Sequence, residues 1–288
     1  MEHIIKSLKP MALLVAGAVV FVLGTAFLIA ADATLSPSSL GASSDLAEAG
    51  RWLQFLAGAC ALGAVCTAGW ELILRSEWVA GAEVAVVALG ALLLTTGLLV
   101  SAASNGSTPA APVTGAVGIG IWALLVLSRA ARASLAEQGP AHGARTAVPA
   151  APAAPASRGG RGRQADLWLA AAIGLFVLAI GYGFTAASAS WGPGIAAGLL
   201  QAVGVAVLAG SVAAARTRGL LRSRPVPGVL TGLALLAVSF FAAAIVAGLA
   251  FGTLAALGAG LAVVTAVELA GVTVLGVAAW TQVRELYR

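Results

Sequence analysis

Eight long apolar runs leave this chain few ways to fold. They are Met11–Ala31, Trp52–Leu74, Trp78–Ser101, Ala111–Leu127, Leu167–Ala187, Gly194–Ala215, Gly228–Ala250 and Leu257–Trp280. A helix that crosses a bilayer needs about 20 apolar residues. Backbone amides in hydrocarbon must also satisfy one another, which a helix does within a single run. The sequence therefore predicts an all-α, polytopic membrane protein of about eight transmembrane helices. Residues 1–128 and 166–288 form two parallel four-helix halves, and residues 129–165 form a basic, Pro/Ala-rich, disordered cytoplasmic linker.

Composition supports lipid as the main solvent. Of the 288 residues, 60% are hydrophobic and 9% charged, with a mean hydropathy of +1.00. Such a chain has too little polar surface to coat a soluble globule. A net charge of +5 would point a soluble protein toward nucleic acid, but here the basic residues sit between the apolar runs. No nucleic-acid partner is expected, and the RGGRGR tract of the linker reads as a spacer whose arginines hold it on the cytoplasmic face.

The first run is uncharged and longer than the apolar core of a signal peptide, so it reads as a retained helix despite the Ala31-Asp32-Ala33 that follows. A polar loop is expected from Asp32 to Arg51, and shorter ones at Ser104–Pro109 and Ser188–Pro193. With both termini cytoplasmic, every Lys and Arg except Arg51 falls on the cytoplasmic side, as the positive-inside bias requires. The tryptophans other than Trp122 lie at the ends of the runs, where an interfacial belt belongs. The expected location is a bacterial inner membrane.

The two halves carry weak self-similarity. Gly24-Thr25-Ala26-Phe27 and Pro37 match Gly181-Tyr182-Gly183-Phe184 and Pro193, and the run ending at Arg129 resembles the one ending at Arg284. An even number of helices per half makes such repeats parallel. The 36 glycines include Gly90 and Gly97, Gly194 and Gly198, Gly258 and Gly260, and Gly271 and Gly276. Small residues let helices approach closely in lipid, either within the chain or against protein partners or a second copy.

Ionisable groups inside a span are costly and therefore informative. Glu268 stands near the middle of the last run, one turn after Thr265, and is the candidate proton or cation site. Glu71 precedes Arg75 at the spacing of a helical ion pair, and Glu83 is placed to approach Arg75. Gln201, Ser239 and Thr95-Thr96 are candidates for helix–helix hydrogen bonds or a cavity lining.

Other chemistries lack their residues. His3 and His142 both lie outside the runs, which argues against haem, copper or iron centres. Cys60 and Cys66 share one helix at a spacing that cannot bridge them, and no phosphate loop, nucleophile elbow or HExxH motif is present. Neither a cofactor, a metal nor an enzymatic activity is expected. The sequence points first to a non-catalytic accessory, anchoring or scaffold subunit of a membrane complex. The alternative is a small solute transporter or ion-coupled permease, with its site between the halves and Glu268 as coupling carboxyl.

Overall fold

In the computed structural model each apolar run is an α-helix: α1 Glu2–Ala33, α2 Leu40–Leu74, α3 Trp78–Ala103, α4 Ala110–Gln138, α5 Arg158–Thr185, α6 Trp191–Thr217, α7 Val226–Gly248 and α8 Leu254–Leu286. The structure describes residues 2–36, 38–74, 78–104, 106–138, 158–186, 191–217, 226–249 and 254–286. Each of the eight helices contains a stretch long and apolar enough to span a membrane. The chain is a multi-pass helical membrane protein.

The helices outrun the apolar segments because helix propensity does not stop where hydrophobicity does. The polar loop expected from Asp32 to Arg51 is much shorter than that. Asp32 belongs to α1, and α2 begins at Leu40, where the Ala-rich ALGASSDLAEAG stretch favours helix. Ser43 N–H bonds the Ser39 carbonyl at 2.9 Å and Ser43 Oγ donates to the Leu40 carbonyl at 3.0 Å, fixing that first turn. The linker needs the same correction. α4 continues through Gln138 and α5 begins at Arg158, so both flanks of the segment expected to be disordered are helical. Residues 139–157 lie outside the described residues. Between α3 and α4, Gly106 adopts a left-handed φ of 73° and its N–H reaches back to the Ser101 carbonyl at 2.8 Å, which closes the end of α3.

Packing order follows chain order. Each helix lies against its sequence neighbours, and α8 closes on α1; among the described residues no other pair of helices approaches. The bundle is therefore a closed ring of eight helices around an interior. The start of α1 and the end of α8 lie at one end, here the terminal end; α1 and α2, α3 and α4, α5 and α6, and α7 and α8 join at the far end.

One contact recurs in all four far-end hairpins. Gly24 faces Gly50, Gly90 faces Gly118, Gly174 faces Gly204 and Gly232 faces Gly271, with a glycine carbonyl oxygen 2.7–3.1 Å from where the opposite residue's Cβ would stand. No side chain fits there. Lipid tails give helices no hydrophobic reason to associate, so this backbone-to-backbone approach supplies the dispersion contact that holds each hairpin.

The contacts also repeat in register between the halves. Gly24 packs on Gly50 and Gln54 as Gly181 packs on Ala197 and Gln201, and Gly17 packs on Ala57 and Ala61 as Gly174 packs on Gly204 and Leu208. In the following hairpins Gly118 meets Gly90, Leu93 and Leu94, and Gly271 meets Gly232, Leu235 and Leu236. This register makes Gln201 the counterpart of Gln54, Ser239 that of Gly97 and Glu268 that of Gly115. It departs from the sequence match that aligned Arg129 with Arg284.

Candidate functional site

The seam between α1 and α8, where the ring closes, carries the ionisable groups. Asp32 is the only charged residue of the α1 span and Glu268 the only one of the α8 span. At the far end the two helices touch: Gly258 packs on the Asp32 carbonyl and on Leu35. Thr265 bonds the Leu261 carbonyl at 3.0 Å and reaches Asp32 Oδ2 at 3.4 Å. One turn deeper, Glu268 is half-buried. The Tyr182 phenol of α5 interacts electrostatically with it. Since α5 and α8 do not pack on each other, that interaction crosses the interior of the ring. Side chains from three helices thus bring two carboxyls, a phenol and a hydroxyl into one region.

A second polar contact lies on the same face of α1. Gln54 Nε2 of α2 donates to Thr25 Oγ1 at 3.4 Å, while Thr25 donates to the Phe21 carbonyl at 2.9 Å. Gln54 also lines an apolar cavity of about 560 Å³ bounded by α1, α2, α3 and α8. Toward the terminal end α1 and α8 leave this cavity between them, with Leu14, Ala18 and Val22 on one wall and Val272 and Gly276 on the other. Val19 and Val277, on its rim, are 55% and 59% exposed. The cavity is therefore partly open rather than enclosed.

The other sequence candidates fall elsewhere. Gln201 is buried against Gly181 at the α5–α6 crossing. Glu83 does not stand alone at the end of α3. Arg132 of α4 donates to it at 2.9 Å, Arg129 of α4 binds its other oxygen, and Arg129 also stacks 5.6 Å over Trp168 of α5. Glu83 therefore ties α3, α4 and α5 together at the terminal end. The side chain of Glu71, and Arg75 with it, lie outside the described residues. Thr95 and Thr96 donate to their own helix, at the Ala91 and Leu92 carbonyls, both at 2.8 Å. Ser239 is fully buried, and its hydroxyl has no hydrogen-bond partner among the described residues. Cys60 packs on Gly17 and Cys66 is exposed, both as thiols.

Asp32 and Tyr182 are the site residues that sequence reading passed over. Asp32 looked like the first residue of a loop, and Tyr182 like one letter of a repeat motif. Their signal was present: an acid directly after an uncharged run, and a tyrosine inside another, near its end. Among the described residues no group of three or more His, Cys, Asp or Glu side chains gathers as a metal site. No family model matches the chain, and neither the curated proteins nor the solved structures contain a match.

Proposed function

We propose that this protein is a small ion-coupled carrier, with Glu268 as the residue that exchanges a proton for a solute. One placement carries the reading: Glu268 is the only charged residue of the α8 span and stands one turn from Thr265, which meets Asp32, the only charged residue of the α1 span, at the seam that closes the ring. A carboxyl that serves only to tie helices together would pair with a neighbouring helix, as the partly exposed Glu83 does. Along the seam the other acid is Asp32, met by Thr265 one turn from Glu268, Tyr182 of α5 is within electrostatic reach, and the described span of α7 contributes no charged group. The repeated contact register supports an internal duplication, and carriers often place their site where two repeats meet. The distribution of Lys and Arg supports a bacterial inner-membrane location with both termini cytoplasmic.

The accessory-subunit reading keeps the support of short connections. Of the glycine faces, Gly90, Gly97, Gly198, Gly258 and Gly271 are occupied within the chain, while Gly120, Gly183, Gly210 and Gly276 stand open. Extraction from native membranes in mild detergent, followed by mass analysis, tests the choice. The carrier reading expects a monomer or homo-oligomer that, in liposomes, takes up protons when its solute is added, and expects Glu268→Gln to abolish that uptake. Stoichiometric foreign subunits, or unchanged coupling in Glu268→Gln, would overturn it.

A further inference from the structure

Resting on the carrier reading, we infer that the cavity between α1, α2, α3 and α8 is the solute site and that its solute is a lipophilic organic cation. Three observations lead there. The walls are almost wholly apolar, with Gln54 and Thr273 the polar exceptions. That composition suits a hydrocarbon or aromatic body, and a volume of about 560 Å³ is of the size that accepts a drug-sized molecule. The cavity also adjoins the seam that carries Glu268, since Val272 and Gly276 on its wall lie one and two turns from Glu268 on α8.

Charge selects among molecules of that kind. No lining residue is basic, and the ionisable groups on the α1 and α8 spans are both acids. Glu268 stands one turn above Val272 on the same helix, and Asp32 continues the Ala18–Thr25 stripe of α1 toward the far end at heptad spacing. Arg51, the basic residue within the α2 span, lies beside Gly106 at the far end. A cation with an apolar body therefore buries its body in the cavity and turns its charge toward Glu268. An anion of the same shape would meet the Glu268 carboxyl with no basic lining residue to offset it. One-for-one exchange balances charge, since the Glu268 carboxyl holds either a proton or the cation.

The test is equilibrium binding of radiolabelled tetraphenylphosphonium to the full-length protein in lipid nanodiscs. Saturable binding is expected. Gly276→Leu projects a side chain into the cavity from a position with nothing within 4 Å of its Cβ site, so the helix packing survives. It should weaken binding about tenfold or more, and so should Glu268→Gln, through loss of the charge. Gly41→Leu, with equally open surroundings outside the cavity, should leave binding unchanged. If Gly276→Leu does not fold, Ala18→Phe fills the same space from α1.

Absence of saturable binding, or binding indifferent to both Gly276→Leu and Glu268→Gln, would overturn the assignment. So would a co-purified phospholipid that tetraphenylphosphonium cannot displace, which would give the cavity to a resident lipid tail. In those cases proton uptake driven by some other solute and lost in Glu268→Gln would leave the carrier reading standing. Conversely, site-specific binding with no proton-coupled movement in liposomes would sustain this inference and remove that reading.

Discussion

Thr265 of α8 places its hydroxyl 3.4 Å from Asp32 Oδ2 of α1, at the far end of the seam that closes the ring. The same hydroxyl already donates to Leu261 at 3.0 Å, so the Asp32 contact is the weaker branch of a shared hydrogen bond. Interhelical hydrogen bonds in membranes average about 0.6 kcal/mol. Thr265→Val should therefore cost little stability, about 0.5 kcal/mol in a reversible unfolding assay. It should nonetheless alter solute-driven proton uptake, because Asp32 loses a partner beside Glu268. A loss of several kcal/mol would make the pair a structural lock.

The glycine pairs demand the opposite balance. A Cβ at Gly24 would stand 2.8 Å from the Gly50 carbonyl oxygen and 2.9 Å from Leu53 Cβ, and neither can retreat without separating α1 from α2. Gly24→Leu should destabilise the protein by at least 1–3 kcal/mol, roughly the cost of overpacking a core. In practice most of the protein should aggregate on extraction. Gly181→Leu, at the equivalent place in α5–α6, should do the same. Gly41→Leu has open space and should extract normally. Fluorescence-detected size exclusion of the three variants separates these outcomes, and a well-behaved Gly24→Leu would contradict the crossing.

How much of this could be read in the sequence depends on the range of the interaction. The spans were legible because lipid imposes a length and composition on each run separately, as Met11–Ala31 shows. Helix ends were less so: Leu40–Arg51 is too polar for a span yet rich in good helix formers, and hydropathy registers only the first property. The pairing of Glu83 with Arg129 and Arg132 joins residues far apart in sequence, and nothing local distinguishes Arg75 from Arg129 as its partner. Glu268 stood out because it is alone in its run. Tyr182 and Asp32 became visible as its companions only once the ring had brought α5 and α1 around to face α8.

Glu83, by contrast, should prove structural. Its two arginine partners are 43% and 54% exposed, so solvent screens the pairs and each contributes at most about 1 kcal/mol. Glu83→Gln should lower the melting temperature slightly and leave coupled uptake intact. If uptake fell as far as in Glu268→Gln while the protein stayed folded, the terminal-end cluster would belong to the transport path.

Ser239 offers the sharpest test of the repeat. The register places it where Gly97 stands in the first half, and a Cβ at Gly97 would lie 3.4 Å from the Gly115 amide nitrogen. Glu268 is the counterpart of Gly115, so the repeat predicts Ser239 beside the Glu268 backbone; Ser239 is fully buried, with a hydroxyl that has no hydrogen-bond partner among the described residues. Burying an unsatisfied hydroxyl costs about 1–3 kcal/mol in protein mutational data. Removing it relieves that cost and leaves a void no larger than one oxygen atom. Ser239→Ala should therefore be neutral or stabilising by about 1 kcal/mol in reversible unfolding, whereas Ser239→Leu should separate α7 from α8 and destabilise the protein. A clear loss of stability in Ser239→Ala would mean that the hydroxyl is engaged in the membrane, and Glu268, one helix away in this register, would be the first partner to examine by repeating the measurement in a Glu268→Gln background.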